Sequence, residues 1–494
     1  MLVRRGIVLV LLALTGCGGA TRVGAADRDA HVLTLMNPIG DTQEITMYAQ
    51  AVARRSKGKL RVHVVRSPHQ GEIGYEAAVI DDVRAGRSDL GWAGSRAWKG
   101  SLRTLNAPLL IDSYELQQRV LEDDLVAPML DELEPLGLKG VGVLPGPLRR
   151  PLGLHSRLIA PRDFRGLGIG TQQSSVAVAA LRALGARPIP LTATGDGPGL
   201  DGVESSMIGL QSGSYDRAGA HLSSNVNLWP RPLVVFANAR AFAELSSDER
   251  NVLRAAAESV TPLLTALERT GDAEAAANLC RRGQVAQDPA SAADLRALRT
   301  AVEPVYRELR ADPAGRTAID AIAALKRQLS QPAATLPSCR QEPAPRAPAK
   351  TRLDGTWQMD TGRSASAPEY LDENWGHWIL VFDRGRFAIT QQNKTSCTWG
   401  YGTFSVDGDE TTWLFTDGGG EAPNGAMNQP GEKFSYRLSI FRDSATLSAV
   451  KSAISPTNFN AKPWRRLGPP MRAKFSRRCP PPPQALPDTA PREP

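Results

Sequence analysis

Residues 161–191 read PRDFRGLGIGTQQSSVAVAALRALGARPIPL, and this stretch decides how the chain is organised. Its pattern predicts a short strand at residues 167–170, a helix at 174–184 and a second strand at 186–190. The helix has one apolar face, formed by Val176, Ala180, Leu181 and Leu184. Strand, helix and strand in this order predict a parallel pair joined by a crossover, so we expect an α/β fold.

The end of the first of these strands is a candidate binding site. In open α/β sheets a ligand sits beyond the carboxyl ends of the strands. Residues 170–173 follow the strand and stand beside the N-terminus of the helix, where backbone N–H groups suit an anion or a polar ligand. Thr171 and Gln172 are therefore candidate ligand-binding residues.

Three short motifs connect this stretch with a known family. Residues 161–169 fit the pattern P-x-D-(F/L)-(R/K)-G-L-x-I, residues 183–190 fit ALGA-x-P-(I/V)-P, and residues 200–204 fit (L/V)-D-G-x-E. In this order they resemble the extracytoplasmic solute-binding proteins of tripartite ATP-independent periplasmic (TRAP) transporters. The resemblance extends over about residues 31–335 and implies a two-lobed periplasmic-binding-protein-like domain with hinge helices, which closes over a small solute.

The resemblance also implies which residues line the cleft between the lobes. Residues 87–95 are similar to a family segment that ends in a polar loop at the cleft. Glu204 is the last residue of the third motif, and Ser205 comes directly after it. A strand predicted at residues 230–236 closes the second lobe and brings its end to the cleft. The candidate wall residues are Trp92, Ser95, Glu204, Ser205 and Asn238.

The arginine that would hold a ligand carboxylate is an open question in this chain. The resemblance implies one arginine in a G-x-R motif, and Arg149 or Arg150 stands in that neighbourhood. It implies another at the position of Gly170, where a guanidinium would grip the carboxylate as a two-pronged fork. Glycine cannot do this. Either Arg149, Arg150 or Arg231 reaches in, or the ligand is not a simple carboxylate, or the cleft no longer binds a transported solute.

The N-terminus predicts export and a lipid anchor. Two arginines precede the apolar run at residues 6–14, which indicates a secretory signal peptide over residues 1–16. Residues 14–17 read LTGC, which is similar to a bacterial lipobox and implies cleavage before Cys17 and its lipidation. Residues 17–30 would then be a flexible tether to a bacterial membrane, with the protein in the periplasm or on the outer cell surface. The alternative is an ordinary signal peptide with an incidental Cys17.

Export changes how the remaining cysteines are interpreted. With Cys17 lipidated, an even number is left, and an oxidising compartment allows two disulfides in three possible pairings. Grouping the four cysteines by domain, we favour Cys280–Cys339 and Cys397–Cys479. No Cys/His spacing suggests a zinc site, so no metal and no cofactor is predicted.

A capping box at residues 246–249 opens a long predicted helix that extends to residue 267, and further helix is predicted at residues 273–282. The resemblance implies that such helices pack across both lobes and brace the hinge. The proline-rich residues 336–350 are predicted to be a linker.

The pattern after this linker changes to short alternating segments, which predict a small antiparallel barrel or sandwich at residues 351–475. Residues 353–357 read LDGTW, similar to the G-x-W opening of lipocalin-like barrels, and this implies that Trp357 plugs the barrel floor. The interior would be a filled core or would hold a small apolar ligand. Residues 476–494 are predicted to be a disordered tail.

Composition limits the classes of function. The chain has 494 residues, enough for two or three domains, and its net charge of +8 is spread along the sequence. No basic stripe with aromatic partners indicates nucleic-acid binding. No nucleophile elbow, catalytic triad or metal signature is present, so we predict no catalytic residues and no enzymatic activity.

These observations predict a lipid-anchored solute-binding protein. Its partners would be a small polar solute, with carboxylates among the candidates, and the subunits of a membrane permease. The alternative is a scaffold or sensor lipoprotein that keeps the binding-protein fold without transport, which the glycine at position 170 and the additional β-domain would favour.

Overall fold

The computed structural model describes residues 30–39, 43–69, 72–191, 199–212, 215, 219–282, 285–329, 333–336, 350–361, 376–393, 397–421, 433–449 and 463–470. Two α/β lobes and a closed antiparallel barrel are present, which confirms the predicted fold class. The predicted signal peptide, the disordered tail and most of the linker lie outside the described residues, so the domain boundaries remain predictions.

The first lobe is built on a five-stranded sheet. Its strands are β1 (His31–Asn37), β2 (Leu60–Arg66), β3 (Leu90–Gly94), β4 (Leu138–Leu144) and β11 (Leu233–Asn238). Its helices are α1 (Gln43–Arg55), α2 (Tyr75–Arg84), α3 (Tyr114–Leu121) and α4 (Val126–Asp131), with 3-10 turns at Ser95–Ala97, Gly100–Asn106 and Glu134–Leu136. The strand order is β2-β1-β3-β11-β4, and β11 is antiparallel to both of its neighbours.

The second lobe has a seven-stranded sheet of mixed direction. Its strands are β5 (Leu148–Gly153), β6 (Gly168–Thr171), β7 (Arg187–Pro190), β8 (Gly202–Ser205), β9 (Ala220–Ser223), β10 (Trp229–Pro230) and β12 (Val285–Asp288). Its helices are α5 (Pro161–Phe164), α6 (Ser175–Ala183) and α7 (Met207–Ser212). The strand order is β12-β9-β5-β8-β6-β7, and β10 pairs with β5.

The strand-helix-strand stretch at residues 161–191 folds as predicted. β6 and β7 are parallel and α6 connects them. The hydroxyl of Ser174 caps α6 by accepting a hydrogen bond from Ala177 N at 3.1 Å. All four apolar residues predicted for the inner face of the helix are buried, because their helical spacing brings them to one side.

The strand after Arg231 departs from the prediction. We expected it to close the second lobe, but β11 lies in the first lobe, between β3 and β4. The chain enters it from β10, which pairs with β5 of the second lobe at Trp229 and Pro230. The segment around Arg231 therefore crosses from one lobe to the other.

The helix α9 (Ser247–Arg282) connects both lobes. Ser246 and Glu249 form the predicted capping box, in which each side chain bonds the backbone N–H of the other residue. The two predicted helices are one continuous element, because tertiary packing holds the polar segment between them in the helix. Its first half packs into the core of the first lobe through Leu253 and Leu264, and its last turns pack into the second lobe through Leu279. The helices α8 (Ala239–Glu244), α10 (Ala292–Ala301), α11 (Glu303–Leu309) and α12 (Pro313–Gln328) complete the two lobes.

The C-terminal domain is a closed barrel with a core of its own. Its strands are β13 (Gly355–Thr361), β14 (Gly376–Asp383), β15 (Arg386–Gln392), β16 (Cys397–Asp407), β17 (Glu410–Glu421), β18 (Lys433–Phe441), β19 (Ser444–Ala449) and β20 (Trp464–Gly468). Each strand pairs with the next, and β13 pairs with β20 to close the ring. The described interior is packed with large side chains, among them Trp357, Trp378, Phe382, Trp413, Tyr436 and Trp464.

Trp357 stands at one end of this core. Its indole Nε1 donates a hydrogen bond to Leu353 O at 2.8 Å, and the Arg466 guanidinium lies 4.2 Å from its ring centroid. Arg466 also donates to Asp354 O at 2.8 Å, so it ties the last strand to the turn before β13. Trp357 is thus a buried, hydrogen-bonded residue of the barrel core, while its role as a floor and the lipocalin-like resemblance remain predictions.

Candidate functional site

The second lobe contributes a buried network around Glu204 of β8. Its carboxylate Oε1 accepts a hydrogen bond from Thr171 Oγ1 at 2.7 Å, and Oε2 forms an ion pair with Arg149 Nε. Arg149 Nη2 also donates to the Glu204 carbonyl oxygen at 2.8 Å. The three side chains are almost wholly buried. Thr171 lies at the carboxyl end of β6, where the sequence predicted a binding site.

The first lobe contributes a second network around Glu76, in the first turn of α2. Its Oε1 accepts from Gly94 N at 2.9 Å, and its Oε2 accepts from Arg96 Nε at 2.9 Å. Arg96 Nη2 donates to Tyr75 Oη at 3.1 Å. A Cβ on Gly94 would lie 2.9 Å from Glu76 Oε1, so glycine lets the carboxylate reach the backbone. The network lies at the carboxyl end of β3.

Arg231 lies on the segment that crosses between the lobes. Its side chain is 10% exposed, and its guanidinium carbon is 5.3 Å from the ring centroid of Trp92. Nη2 lies 3.8 Å from Glu76 Oε1, which is beyond hydrogen-bond distance. Nε and Nη2 have no hydrogen-bond partner among the described residues. Arg231 is thus a buried cation with two unused donors.

These arginines and glutamates influence one another electrostatically. Burial lowers the pKa of Arg149, and the positive charges of Arg96 and Arg231 lower it further, while Glu204 opposes them. Burial also lowers the pKa of Arg96, but contributions led by the charge of Glu76 outweigh it, so the pKa of Arg96 is raised. Three cations and two anions leave one formal positive charge in a region with little water to screen it.

Glu268 of α9 is a further acidic neighbour of Arg231. Burial raises the pKa of Glu268 well above its usual range, and the negative charges of Glu44 and Asp272 raise it further, although Arg231 acts in the opposite direction. Glu268 therefore keeps its proton to a higher pH than an ordinary glutamate does.

The first-lobe candidates are buried in the wall at the end of β3. Trp92 Nε1 donates to Asn37 Oδ1 at 2.9 Å, which fixes the indole beneath Arg231. Ser95 Oγ donates to Asn106 Oδ1, so this hydroxyl already has a partner. Trp92 therefore positions the Arg231 guanidinium, whereas Ser95 holds Asn106 in place within the wall.

Three further candidates lie away from the network. Arg150 points to the opposite face of β5 from Arg149 and forms an ion pair with Asp272 Oδ2 at 2.5 Å. Ser205 pairs with Arg150 across the sheet and so shares that face. Asn238 ends the antiparallel strand β11, opposite the first residue of β4, where its Oδ1 caps α8 and its Nδ2 donates to Val83 O at 2.9 Å. These three side chains contribute to the structure of the lobes and lie away from the charged network.

Gln172 and its neighbour show how closely the lobes approach. The amide Oε1 of Gln172 is buried and has no hydrogen-bond partner among the described residues, so it is available to a ligand. Gln173, the next residue, brings its Oε1 to 3.1 Å from the position of a Cβ on Gly74 in the first lobe. The lobes therefore meet at this point.

Gly170 cannot accept a larger residue without rearrangement. A Cβ there would lie 2.6 Å from Leu191 Cδ2, 2.9 Å from Leu200 Cδ2 and 3.1 Å from Val203 Cγ1. A side chain at this position would point toward these apolar residues and away from the face that carries Arg149. An arginine fork is therefore absent here because the strand face is filled.

Glu76, Arg96 and Tyr75 were not predicted from the sequence. Arg96 comes two residues after the end of β3, the same kind of position that led to Thr171 beyond β6, so the strand-end argument would have found it. Glu76 had no such signal, because it lies in a helix that the sequence marks only by its apolar spacing. Among the described residues no group of His, Cys, Asp and Glu side chains forms a candidate metal site.

The cysteine and membrane predictions fall only partly within the described residues. Cys17, Cys339 and Cys479 lie outside the described residues, while Cys280 lies on α9 and Cys397 begins β16. The two pairings therefore stay predictions. Within the part of the chain that the structure describes, no helix combines the length and the apolar character needed to cross a membrane.

Comparison with known proteins gives a consistent result. Residues 30–312 match the model of the bacterial extracellular solute-binding proteins of family 7, DctP. The 2,3-diketo-L-gulonate-binding periplasmic protein YiaO of Escherichia coli is 25% identical over 228 residues, which cover 44% of this chain and 68% of YiaO. An uncharacterized Haemophilus influenzae protein is 25% identical over 141 residues, 28% of this chain and 42% of that protein.

Solved structures share the fold of the lobes. The sugar acid binding protein of Advenella mimigardefordensis, in complex with galactonate, has a TM-score of 0.52 at 20% identity over 61% of this chain and 99% of its own. A TRAP periplasmic solute binding protein from Desulfovibrio desulfuricans, with bound sn-glycerol-3-phosphate, has a TM-score of 0.53 at 16% identity, over 60% and 97% of the two chains. At these identities the likeness is one of fold.

Proposed function

The chain belongs to the family 7 bacterial extracellular solute-binding proteins, and we propose that it captures a small anionic solute between its two lobes and delivers it to a membrane permease. The observation that carries the proposal is the buried charged cluster. Glu76 and Arg96 come from the first lobe, Arg149 and Glu204 come from the second, and Arg231 lies between them. The cluster has one positive charge in excess, which favours an anion.

The proposed mechanism is closure of the lobes around the solute. A ligand that contacts both walls favours the closed state by its differential affinity for that state. Closure excludes water, which strengthens each charged hydrogen bond inside. We assign Arg149, Thr171, Gln172 and Glu204 to one wall. Trp92, with Ser95 behind it, forms the other, and the relatives solved with galactonate and glycerol phosphate support an anionic solute.

Binding can be tested on the purified mature protein with a panel of small carboxylates, sugar acids and neutral sugars. We expect one or more acids to raise the unfolding temperature, because a ligand at 100 times its Kd stabilises the native state by about 2.7 kcal/mol. Neutral sugars should leave the temperature unchanged. A panel in which no acid shifts the transition would contradict the proposal.

We propose that the protein is held at the membrane by lipid on Cys17. The signal-like residues 1–16 and the LTGC sequence support this, and Cys17→Ala should move the protein from the membrane fraction to the soluble exported fraction. We also propose Cys280–Cys339 and Cys397–Cys479 as disulfides, which non-reducing peptide mapping would identify. Finding that the wild type is soluble without lipid would remove the anchor from the proposal.

A scaffold or sensor role remains the second candidate, because the lobes are followed by a closed barrel with its own core. The two candidates make opposite predictions. A scaffold would bind a protein partner through the barrel while no small acid altered its unfolding temperature.

A further inference from the structure

We propose that Arg231 is the single anion anchor of the cleft and that the solute is consequently a monocarboxylate. This inference rests on the proposed function, since it assumes that the cleft binds a solute. It assigns the role that the sequence left open among Arg149, Arg150 and Arg231, and it limits the charge of the solute to one.

The other arginines of the cleft are already neutralised by buried carboxylates. Arg96 is paired with Glu76, and Arg149 is paired with Glu204 through both the side chain and the carbonyl oxygen. Each pair is buried, so separating it would leave an uncompensated charge, which is strongly unfavourable. A solute carboxylate at either guanidinium would therefore compete with the glutamate that already binds it.

Arg231 differs because two of its donors have no acceptor among the described residues. Nε and Nη2 lie on the same edge of the planar guanidinium, which is the edge that accepts both oxygens of one carboxylate. Leaving charged donors buried without acceptors is costly. A carboxylate that binds this edge removes that cost and gains two charge-assisted hydrogen bonds.

The position of Arg231 is fixed before a ligand arrives. Its backbone N–H donates to Pro147 O at 3.0 Å, and the residue lies between Pro230 and Pro232, which restrict the local backbone. The guanidinium rests on the Trp92 ring, which Asn37 holds in place. A preorganised anchor of this kind loses little conformational entropy on binding.

The charge balance sets the number of carboxylates. The cluster formed by Arg96, Arg149, Arg231, Glu76 and Glu204 has one positive charge in excess, and a monocarboxylate neutralises it. A dicarboxylate would bring a second negative charge next to two glutamates, and the neighbouring Arg96 and Arg149 are already paired with those glutamates. Desolvating that charge without a partner would reduce affinity.

The test uses the full mature protein with lactate, pyruvate and gluconate as monocarboxylate probes, succinate and malate as dicarboxylate probes, and glucose as the neutral probe. Calorimetric titration and thermal shift are measured on the wild type and on Arg231→Gln, Arg231→Lys and Arg240→Gln. Arg240 is exposed on α8 of the first lobe and is the matched control.

We expect a monocarboxylate to bind the wild type and Arg240→Gln equally and to lose affinity by about 100-fold or more in Arg231→Gln. Arg231→Lys should recover part of the affinity, because it restores the charge without the planar fork. The ligand-free Arg231→Gln protein should unfold at the wild-type temperature or above it, since two buried charged donors without acceptors among the described residues have been removed.

Two results would overturn the inference. Tighter binding of succinate or malate than of every monocarboxylate would contradict the single-charge site, while the proposed solute-binding function would stand. Wild-type affinity in Arg231→Gln would exclude Arg231 as the anchor. Absence of binding by every probe would remove both the inference and the proposed function.

Discussion

Glu268 links the stability of the lobes to pH, because its carboxyl is buried on α9 beside other acidic groups. A carboxyl whose pKa is raised in the folded state binds its proton more tightly in the native chain than in the unfolded chain. Its contribution to stability is complete below its ordinary pKa of 4.5 and is lost as the pH rises through the folded-state value. Glu268 should therefore stabilise the native protein less as the pH rises.

We expect Glu268→Gln to weaken this dependence. Urea unfolding from about pH 5 to about pH 7.5 should show a smaller loss of stability in the variant, and one proton accounts for at most about 1.4 kcal/mol per pH unit. Glu249→Gln is the control. Burial raises the pKa of Glu249, but hydrogen bonds from Ser246 and His31 outweigh it and lower the pKa overall. Glu249 therefore affects the acid side, and equal slopes for Glu268→Gln and wild type would contradict the assignment.

At the scale of the element, α9 carries two ion pairs of different kinds. Asp272 binds Arg150, and both side chains are buried. Arg269 binds Glu115 at 2.9 Å with its own side chain 62% exposed. Pairs of the first kind are expensive to break singly, whereas surface pairs contribute little.

We expect Asp272→Ala to lower the free energy of unfolding by roughly 3–5 kcal/mol, because Arg150 would be left buried and unpaired. Arg269→Ala should lower it by about 1 kcal/mol or less. Urea denaturation of both variants at neutral pH measures the difference. Losses of similar size would show that the Asp272 pair does not brace α9 against the second lobe.

At the scale of the whole molecule, the lobes and the barrel have separate hydrophobic cores. A hydrogen bond from Lys433 N to Asn278 Oδ1 at 3.0 Å joins them, and such a bond contributes about 1 kcal/mol. That is small beside the free energy of unfolding of a domain. We therefore expect the two parts to unfold separately.

Scanning calorimetry tests this with one core substitution in each part. Trp413→Ala, which removes about 3–5 kcal/mol of packing, should lower only the barrel transition. Leu264→Ala, on α9, should cost about 2–5 kcal/mol and lower only the transition of the lobes. A single transition that moves with both substitutions would show one cooperative unit.

The sequence by itself determined the features that depend on local spacing. The parallel β6 and β7, the buried face of α6 and the capping box of α9 follow from periodicity and from residues within one turn of each other. The three motifs indicated the family by resemblance, and the match of residues 30–312 to the family 7 model confirms it. The alternating pattern after the linker was enough to predict a small antiparallel barrel or sandwich, and the structure shows the closed barrel.

Only the tertiary structure decided which arginine is free. Arg149 and Arg150 are adjacent in sequence, but strand alternation sends them to opposite faces, and their acidic partners lie 55 and 122 residues away. Asn238 likewise became a helix cap because β11 runs antiparallel in the first lobe. Pairing over such distances depends on how sheets and helices pack. The sequence around Arg231 therefore does not indicate which of the other arginines have acidic partners.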